Sequence, residues 1–238
     1  MRILGIDTST PTASVALVED GELLAEQIQD GAAAGRIGSH AATILPLIES
    51  VFASAQITPN DLCGIAVSLG PGSFTGLRIG LATAKGLAYP ANLPLIGVST
   101  LHAGAARVPG FNGLIGAMFD ARKNEVYIAL FRRSQNDLTR VTPDAVLSIK
   151  SAIAMLRDHW EESDSVILVG GGAKAYEREI RKSFTAVQIS DGACYSSMAT
   201  QTALLAAARF DDAGVDPSGL MPVYLRAPEA REPTKKIA

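Results

Sequence analysis

Three short stretches carry the residue types from which a phosphate or metal site is made. Asp7-Thr8-Ser9 follows an apolar strand and supplies two hydroxyls and an acid able to hold a metal-bound water. Asp120, followed by Ala121-Arg122-Lys123, ends a second apolar strand. Gly170-Gly171-Gly172 stands between a strand and a helix, where an adenosine-contacting loop would sit. Phosphate binding needs backbone N–H groups free to point at the anion, which is why such turns favour glycine. The first turn has no glycine, and the second has two long cations where close backbone approach is needed. Asp7, Thr8, Ser9, Asp120, Gly170 and Gly171 are therefore candidates for facing a nucleotide. The alternative is that these turns only inherit the shape of the fold.

A fourth stretch, Gly70-Pro71-Gly72-Ser73, also runs from a strand into a helix. It lacks the frame of a Walker loop and its Lys-Ser/Thr ending. Glycine and proline suit the turn for backbone reasons, and Ser73 is expected to cap the helix. The helix beyond it is rich in small residues (Gly76, Gly80, Ala82, Ala84, Gly86, Ala88). Each interior glycine costs about 1 kcal/mol relative to alanine, so such a helix suits the close approach of another backbone, from its own sheet and from a partner. The three histidines, His40, His102 and His159, make no pair at four-residue spacing and no zinc-peptidase motif. With no nucleophile motif either, peptidase chemistry lacks its parts.

The elements that must hold these residues come in two similar sets. Strands are expected over 2–7, 13–18 and 22–27, then a glycine-rich loop over 30–38. A helix over 39–55 follows, capped by Ser39, with Ile44, Leu45, Ile48, Val51 and Phe52 at helical spacing. A strand over 62–69, the helix over 73–89 and a strand over 93–98 complete the first set. The second set has strands over 114–120 and 125–131 around a turn at 122–124. After it come a helix over 149–160, a strand over 165–169, a helix over 173–182, a strand over 186–189 and a helix over 196–210. IDTSTPTASVAL (6–17) and FDARKNEVYIAL (119–130) correspond position by position. Hairpin first and α/β units afterwards, twice over, is the order of a duplicated ribonuclease-H-like fold, the α/β class of actin, Hsp70 and the sugar kinases. Two subdomains are expected, 1–108 and 109–238, with the tail returning to the first.

With 47% hydrophobic and 19% charged residues, the 238-residue chain has the make-up of a compact α/β protein. Its net charge of −3 gives no broad electrostatic footprint for nucleic acid. Cys63 and Cys194 each lie in an apolar run and are expected to be buried and reduced. The first strand carries no signal-peptide pattern and no run is long enough for a membrane span, so the cytoplasm is the expected compartment. The segment 231–236 is only modestly basic.

Taken together, ILGIDTST, VSLGPGSFTGLRIGLATAKGLA, PLIGVSTL, DARKNEVY and VYLR resemble the bacterial TsaB (YeaZ) family, and the resemblance spans essentially the whole chain. It implies a role in forming N6-threonylcarbamoyladenosine in tRNAs that read codons beginning with A. In that family the chain is the non-catalytic partner of its paralogue TsaD, which transfers the threonylcarbamoyl group. The small ATPase TsaE joins the pair, so ATP and Mg²⁺ are used by the complex and no cofactor or metal is expected on this chain alone. TsaD has two metal-binding histidines four residues apart, at places that hold Thr100 and Gly104 here. The resemblance implies docking to TsaD through the first two helices, with His40, Thr43, Leu47, Leu77, Leu81 and Lys85 as candidate contacts, a homodimer through the same face without TsaD, and tRNA contact only through the complex. The rival reading from the residues is an independent ATP-binding kinase or ATPase.

Overall fold

A computed structural model describes residues 1–30, 40–162, 165–185, 187–190, 197–210 and 217–226. The expected loop over 31–38, the cap at Ser39, Cys194 and the segment 231–236 lie outside the described residues. The chain opens as three antiparallel strands, β1 (Arg2–Asp7), β2 (Thr12–Glu19) and β3 (Glu22–Asp30), and α1 (His40–Ala55) follows. β4 (Gly64–Gly70) lies parallel to β1, and α2 (Phe74–Ala91) leads to β5 (Leu95–Ser99) and α3 (Thr100–Ala106). The sheet order is β3-β2-β1-β4-β5.

The second half repeats this plan. β6 (Gly113–Arg122), β7 (Glu125–Ser134) and β8 (Asp137–Arg140) are antiparallel, and β9 (Ala145–Ser148) also pairs with β7. α4 (Ile149–His159), β10 (Val166–Val169), α5 (Gly171–Ala175), α6 (Glu177–Ser183), β11 (Val187–Ser190) and α7 (Met198–Ala207) follow. The order β11-β10-β6-β7-β8 is the first sheet read backwards, with the same parallel and antiparallel pairs. This is the duplicated ribonuclease-H-like topology of the actin, Hsp70 and sugar-kinase class.

The two hairpins are not superimposable residue for residue. Ile6 pairs with Val15, nine positions on, whereas Phe119 pairs with Tyr127, eight on, and a bulge sits between Asp120 and Arg122. The ungapped match of 6–17 with 119–130 therefore slips by one in its second strand. The anticipated helix over 173–182 is broken at Tyr176 into α5 and α6. α3 goes unannounced because TLHAGAA lacks an apolar period, and four-residue β8 and β9 are too short to show one.

Each central strand is buried on both faces. Leu4, Ile6, Ile65 and Val67 meet Ile44, Ile48 and Val51 of α1 and Leu81, Ala84 and Ala88 of α2. On the other face Ile3, Val18, Ala66 and Ile96 meet Met198, Ala203 and Ala206 of α7. α7 lies so close to β1 that a Cβ on Gly5 would stand 2.2 Å from the Ala199 carbonyl oxygen. Reciprocally, Leu101 and Ala105 of α3 pack on Ile115, Ala117, Ala129 and Phe131 of the second sheet. Each half thus lends its last helix to the other sheet. Cys63 is not the buried residue expected: it is an exposed free thiol in the turn before β4, with its sulfur 3.4 Å from the Arg2 N–H.

Candidate functional site

The Thr8–Ser9 part of the turn after β1 is pressed onto the backbone at the start of α2. A Cβ on Gly72 would stand 2.4 Å from the Ser9 carbonyl oxygen, one on Gly76 1.9 Å from that of Thr8, and one on Gly80 2.3 Å from Thr8 Oγ1. The Thr8 hydroxyl donates to the Gly76 carbonyl at 2.7 Å. The Ser73 N–H donates to the Ser9 carbonyl at 2.7 Å, and the Ser73 hydroxyl accepts the Gly76 N–H at 3.2 Å. Two of the donors at this helix N-terminus, the Ser73 and Gly76 N–H groups, are therefore engaged within the chain. Asp7 is 0% exposed and accepts the Ser9 hydroxyl at 2.7 Å and the Ser9 N–H at 3.3 Å. Burial pushes its carboxyl up from the usual carboxylate value, and hydrogen bonds from Ser68 and Ser9 oppose that. Asp7, Thr8 and Ser9, expected to face a nucleotide, are instead all three buried: Thr8 and Ser9 lie against the start of α2, and the Asp7 carboxylate lies on the other face of the sheet, beside Ser68 and near the charge of Arg107.

The corresponding turn in the second half is open. Asp120 is exposed and accepts the Arg122 N–H at 2.8 Å, and Arg122, Lys123 and Asn124 all have positive φ. Gly170 is buried with φ 108°, and a Cβ there would meet the Met118 carbonyl at 2.6 Å. Gly171 is exposed and has open space around it. The structure brings Asp120, Gly170 and Gly171 to one end of the second sheet and leaves Asp7 sealed in the first.

Of the six candidate contacts on α1 and α2, two are corrected outright. Leu77 and Leu81 point into the protein and are 1% and 6% exposed. Lys85 donates to the Ser218 carbonyl at 3.1 Å, and His40 Nε2 hydrogen-bonds with the Thr10 carbonyl at 3.1 Å. Thr43 is half-buried with its hydroxyl 3.4 Å from the His40 carbonyl, and half-buried Leu47 packs on the core. The outward surface is made by others. An open groove of about 410 Å³ lies along α1, lined by Leu45, Glu49 and Phe52 of that helix, Ile57 and Pro59 of the turn after it, and Leu87 of α2, among others. Leu45 is 52% and Tyr89 54% exposed, and Ala82 and exposed Gly86 lie on the same outer side of α2. Their signal was present in the sequence: Ile44, Ile48 and Val51 already complete one buried stripe, so Leu45 and Phe52 fall on its flank.

At the places of the TsaD histidines, Thr100 is fully buried, and a Cβ on Gly104 would stand 2.9 Å from the Phe119 ring. His102 between them stacks on Phe131, with ring centroids 5.2 Å apart. Burial, then the charges of Arg140 and Arg209, lower its imidazole from 6.5 to about 4. His159 Nδ1 hydrogen-bonds with the Met155 carbonyl at 2.9 Å. Among the described residues no three His, Cys, Asp or Glu side chains cluster as metal ligands, and no helix is long and apolar enough to cross a membrane.

The sequence pattern of TsaD, tRNA N6-adenosine threonylcarbamoyltransferase, matches residues 36–232. The tRNA threonylcarbamoyladenosine biosynthesis protein TsaB of Bacillus subtilis is 32% identical over 231 residues, covering 97% of this chain and 96% of that protein. The TsaB of Escherichia coli is 40% identical over 147 residues, 58% of each chain. YeaZ from Pseudomonas aeruginosa superimposes with a TM-score of 0.75 at 27% identity, covering 94% of this chain and 99% of that one. An activator of 2-hydroxyisocaproyl-CoA dehydratase from Clostridium difficile shares the fold alone, with a TM-score of 0.52 at 10% identity over 89% of this chain and 96% of that one.

Proposed function

This chain belongs to the TsaB family of tRNA threonylcarbamoyladenosine biosynthesis proteins, and from that premise we propose that it is the non-catalytic subunit that binds and organises a TsaD-type transferase. The observation that carries this reading is the open apolar groove formed by α1, the turn at 57–59 and Leu87 of α2, a surface that partner helices can fill by ridge-into-groove packing. The packing of Thr8 and Ser9 against the start of α2 supports it too, because that part of the first hairpin turn serves packing. The ATPase TsaE completes the assembly, ATP and Mg²⁺ are handled by the complex, and tRNA is met through the transferase. Alone, the chain pairs with a second copy through the same apolar face. The cytoplasm, where tRNA is modified, is the compartment this role requires.

The test is co-elution with the TsaD-family transferase of the same organism. The wild-type chain forms a stable heterodimer, and Leu45→Glu, which places a charge at an exposed groove position, weakens it by about tenfold or more with little change in thermal midpoint. Unchanged co-elution of both Leu45→Glu and Tyr89→Glu overturns this interface. Omission of the chain from a threonylcarbamoylation assay tests the role itself: full modification without it overturns the reading.

A further inference from the structure

Residues 220–226 run across the outside of the molecule from the first half to the second. Leu220 packs on the first core, and the Val223 N–H donates to the Leu69 carbonyl at the end of β4, at 2.7 Å. The Val223 carbonyl then passes so near Gly70 that a Cβ there would stand 2.7 Å from it. Tyr224 packs against Phe74 at the start of α2, with ring centroids 4.9 Å apart and the rings tilted by 37°, and its hydroxyl accepts the Arg78 Nε–H at 2.9 Å. The Arg78 guanidinium covers the Phe74 ring at 3.8 Å. Two residues further on, the chain has reached the other sheet. Arg226 donates to the Ala121 carbonyl at 2.6 Å and forms an ion pair with Glu125. Ala121 is the bulged residue of β6 and has no cross-strand partner in the β6–β7 register, so its carbonyl points away from the ladder and is available to the arginine.

These contacts gather stretches that look unrelated in sequence. The turn at Gly70, the hairpin that holds Ala121 and Glu125, and the late VYLR all meet in one place. Along its outer edge the segment leaves Met221 69%, Val223 43% and Tyr224 39% exposed, beside Phe74 at 40%. An apolar edge of this kind continues the outward surface of α2 beyond the groove.

We infer that residues 220–226 are a clasp that fixes the second half to α2 and, when seated, forms the N-terminal end of the surface on which the transferase docks. The second clause rests on the reading above; the first stands without it. Hydrogen exchange on the isolated chain tests the first. Arg226→Ala removes the charge-assisted anchor, so the Val223 amide exchanges about tenfold faster or more, while the core amides of β1 and β4 keep their protection. Glu125→Gln, which keeps the shape and loses the charge, gives a smaller change of the same sign. Unchanged exchange at Val223 in both variants overturns the clasp. Titration of the transferase tests the second: Arg226→Ala and Tyr224→Ala weaken docking about tenfold. If the wild type docks and these variants dock equally well, the clasp has no part in the surface. If the wild type does not dock at all, it is the subunit reading that fails, and the exchange experiment still decides the clasp.

Discussion

Thr8 and Gly76 meet backbone to backbone. The Thr8 hydroxyl donates to the Gly76 carbonyl at 2.7 Å, and a Cβ on Gly76 would fall 1.9 Å from the Thr8 carbonyl oxygen. The obstacle is main chain held in a hairpin, so it cannot move aside cheaply. Gly76→Ala is therefore expected to destabilise the protein by about 3 kcal/mol, the upper end of overpacking penalties. Gly86, ten residues along the same helix, has open space where its Cβ would go. There the helix propensity of alanine dominates, and Gly86→Ala is expected to stabilise by about 0.5–1 kcal/mol. Urea unfolding of the two variants measures both signs; similar effects at the two positions would count against this account of the glycines.

That contrast shows how far the sequence could be read. Strand–helix order and the hairpin signal were legible because apolar alternation and turn residues are local properties, and both sheets follow them. Gly72, Gly76 and Gly80 were recognisable as small residues permitting close approach, yet nothing local says that the visitor is the chain's own Thr8–Ser9 turn. The phase of α2 is hard to read in the sequence for a related reason. Its inner face mixes Gly76, Gly80, Ala84 and Ala88 with Leu77 and Leu81, while its outer face carries Thr75, Arg78, Ala82 and Gly86. A helix whose buried side is partly glycine has no clean apolar stripe to read, so the sequence alone does not show that Leu77 and Leu81, candidates through the resemblance, face inward. The clasp was legible only as a motif, because its meaning depends on pairing residues 69–78 with 218–226.

Asp7 supplies a second prediction. Burial raises its carboxyl above the usual 3.8. As pH rises from there, the unfolded chain gives up this proton before the folded chain does. The unfolded state then binds fewer protons, and this group's contribution to stability declines with pH through the folded value. Asp7→Asn keeps an oxygen to accept from Ser9 and removes the titration. It is expected to raise the urea midpoint at pH 7 relative to the wild type and by less near pH 4. A variant less stable at pH 7 than at pH 4, each relative to the wild type, would contradict the direction.

His102 works in the opposite window. Its folded value of about 4 lies below the ordinary 6.5, so on acidification the unfolded imidazole protonates first and stability falls between pH 6.5 and 4. A fully enclosed group would account for roughly 3 kcal/mol over that interval. Part of the ring stays in contact with solvent, and about 1–2 kcal/mol is expected. His102→Gln should lose this much less stability than the wild type across the interval in matched denaturant titrations. Parallel curves for the two proteins would remove His102 as the source.

Nucleotide binding by the isolated chain gives the last prediction. In this fold a nucleotide phosphate is gripped between the two hairpin turns, each offering free N–H groups. Here the Ser9 N–H is spent on Asp7, the Ser73 N–H on Ser9 and the Gly76 N–H on Ser73. The second turn, with Asp120 and Gly171, is exposed. Half a grip does not hold a highly charged ligand against water, so calorimetry with ATP and Mg²⁺ is expected to show no saturable binding below about 1 mM, an affinity near 4 kcal/mol. Asp7→Ala is a poor control, since it empties a buried position; Asp120→Ala alters an exposed one. Micromolar binding by the wild type that disappears in Asp120→Ala would mean that the second turn suffices alone, and would revive the kinase or ATPase reading.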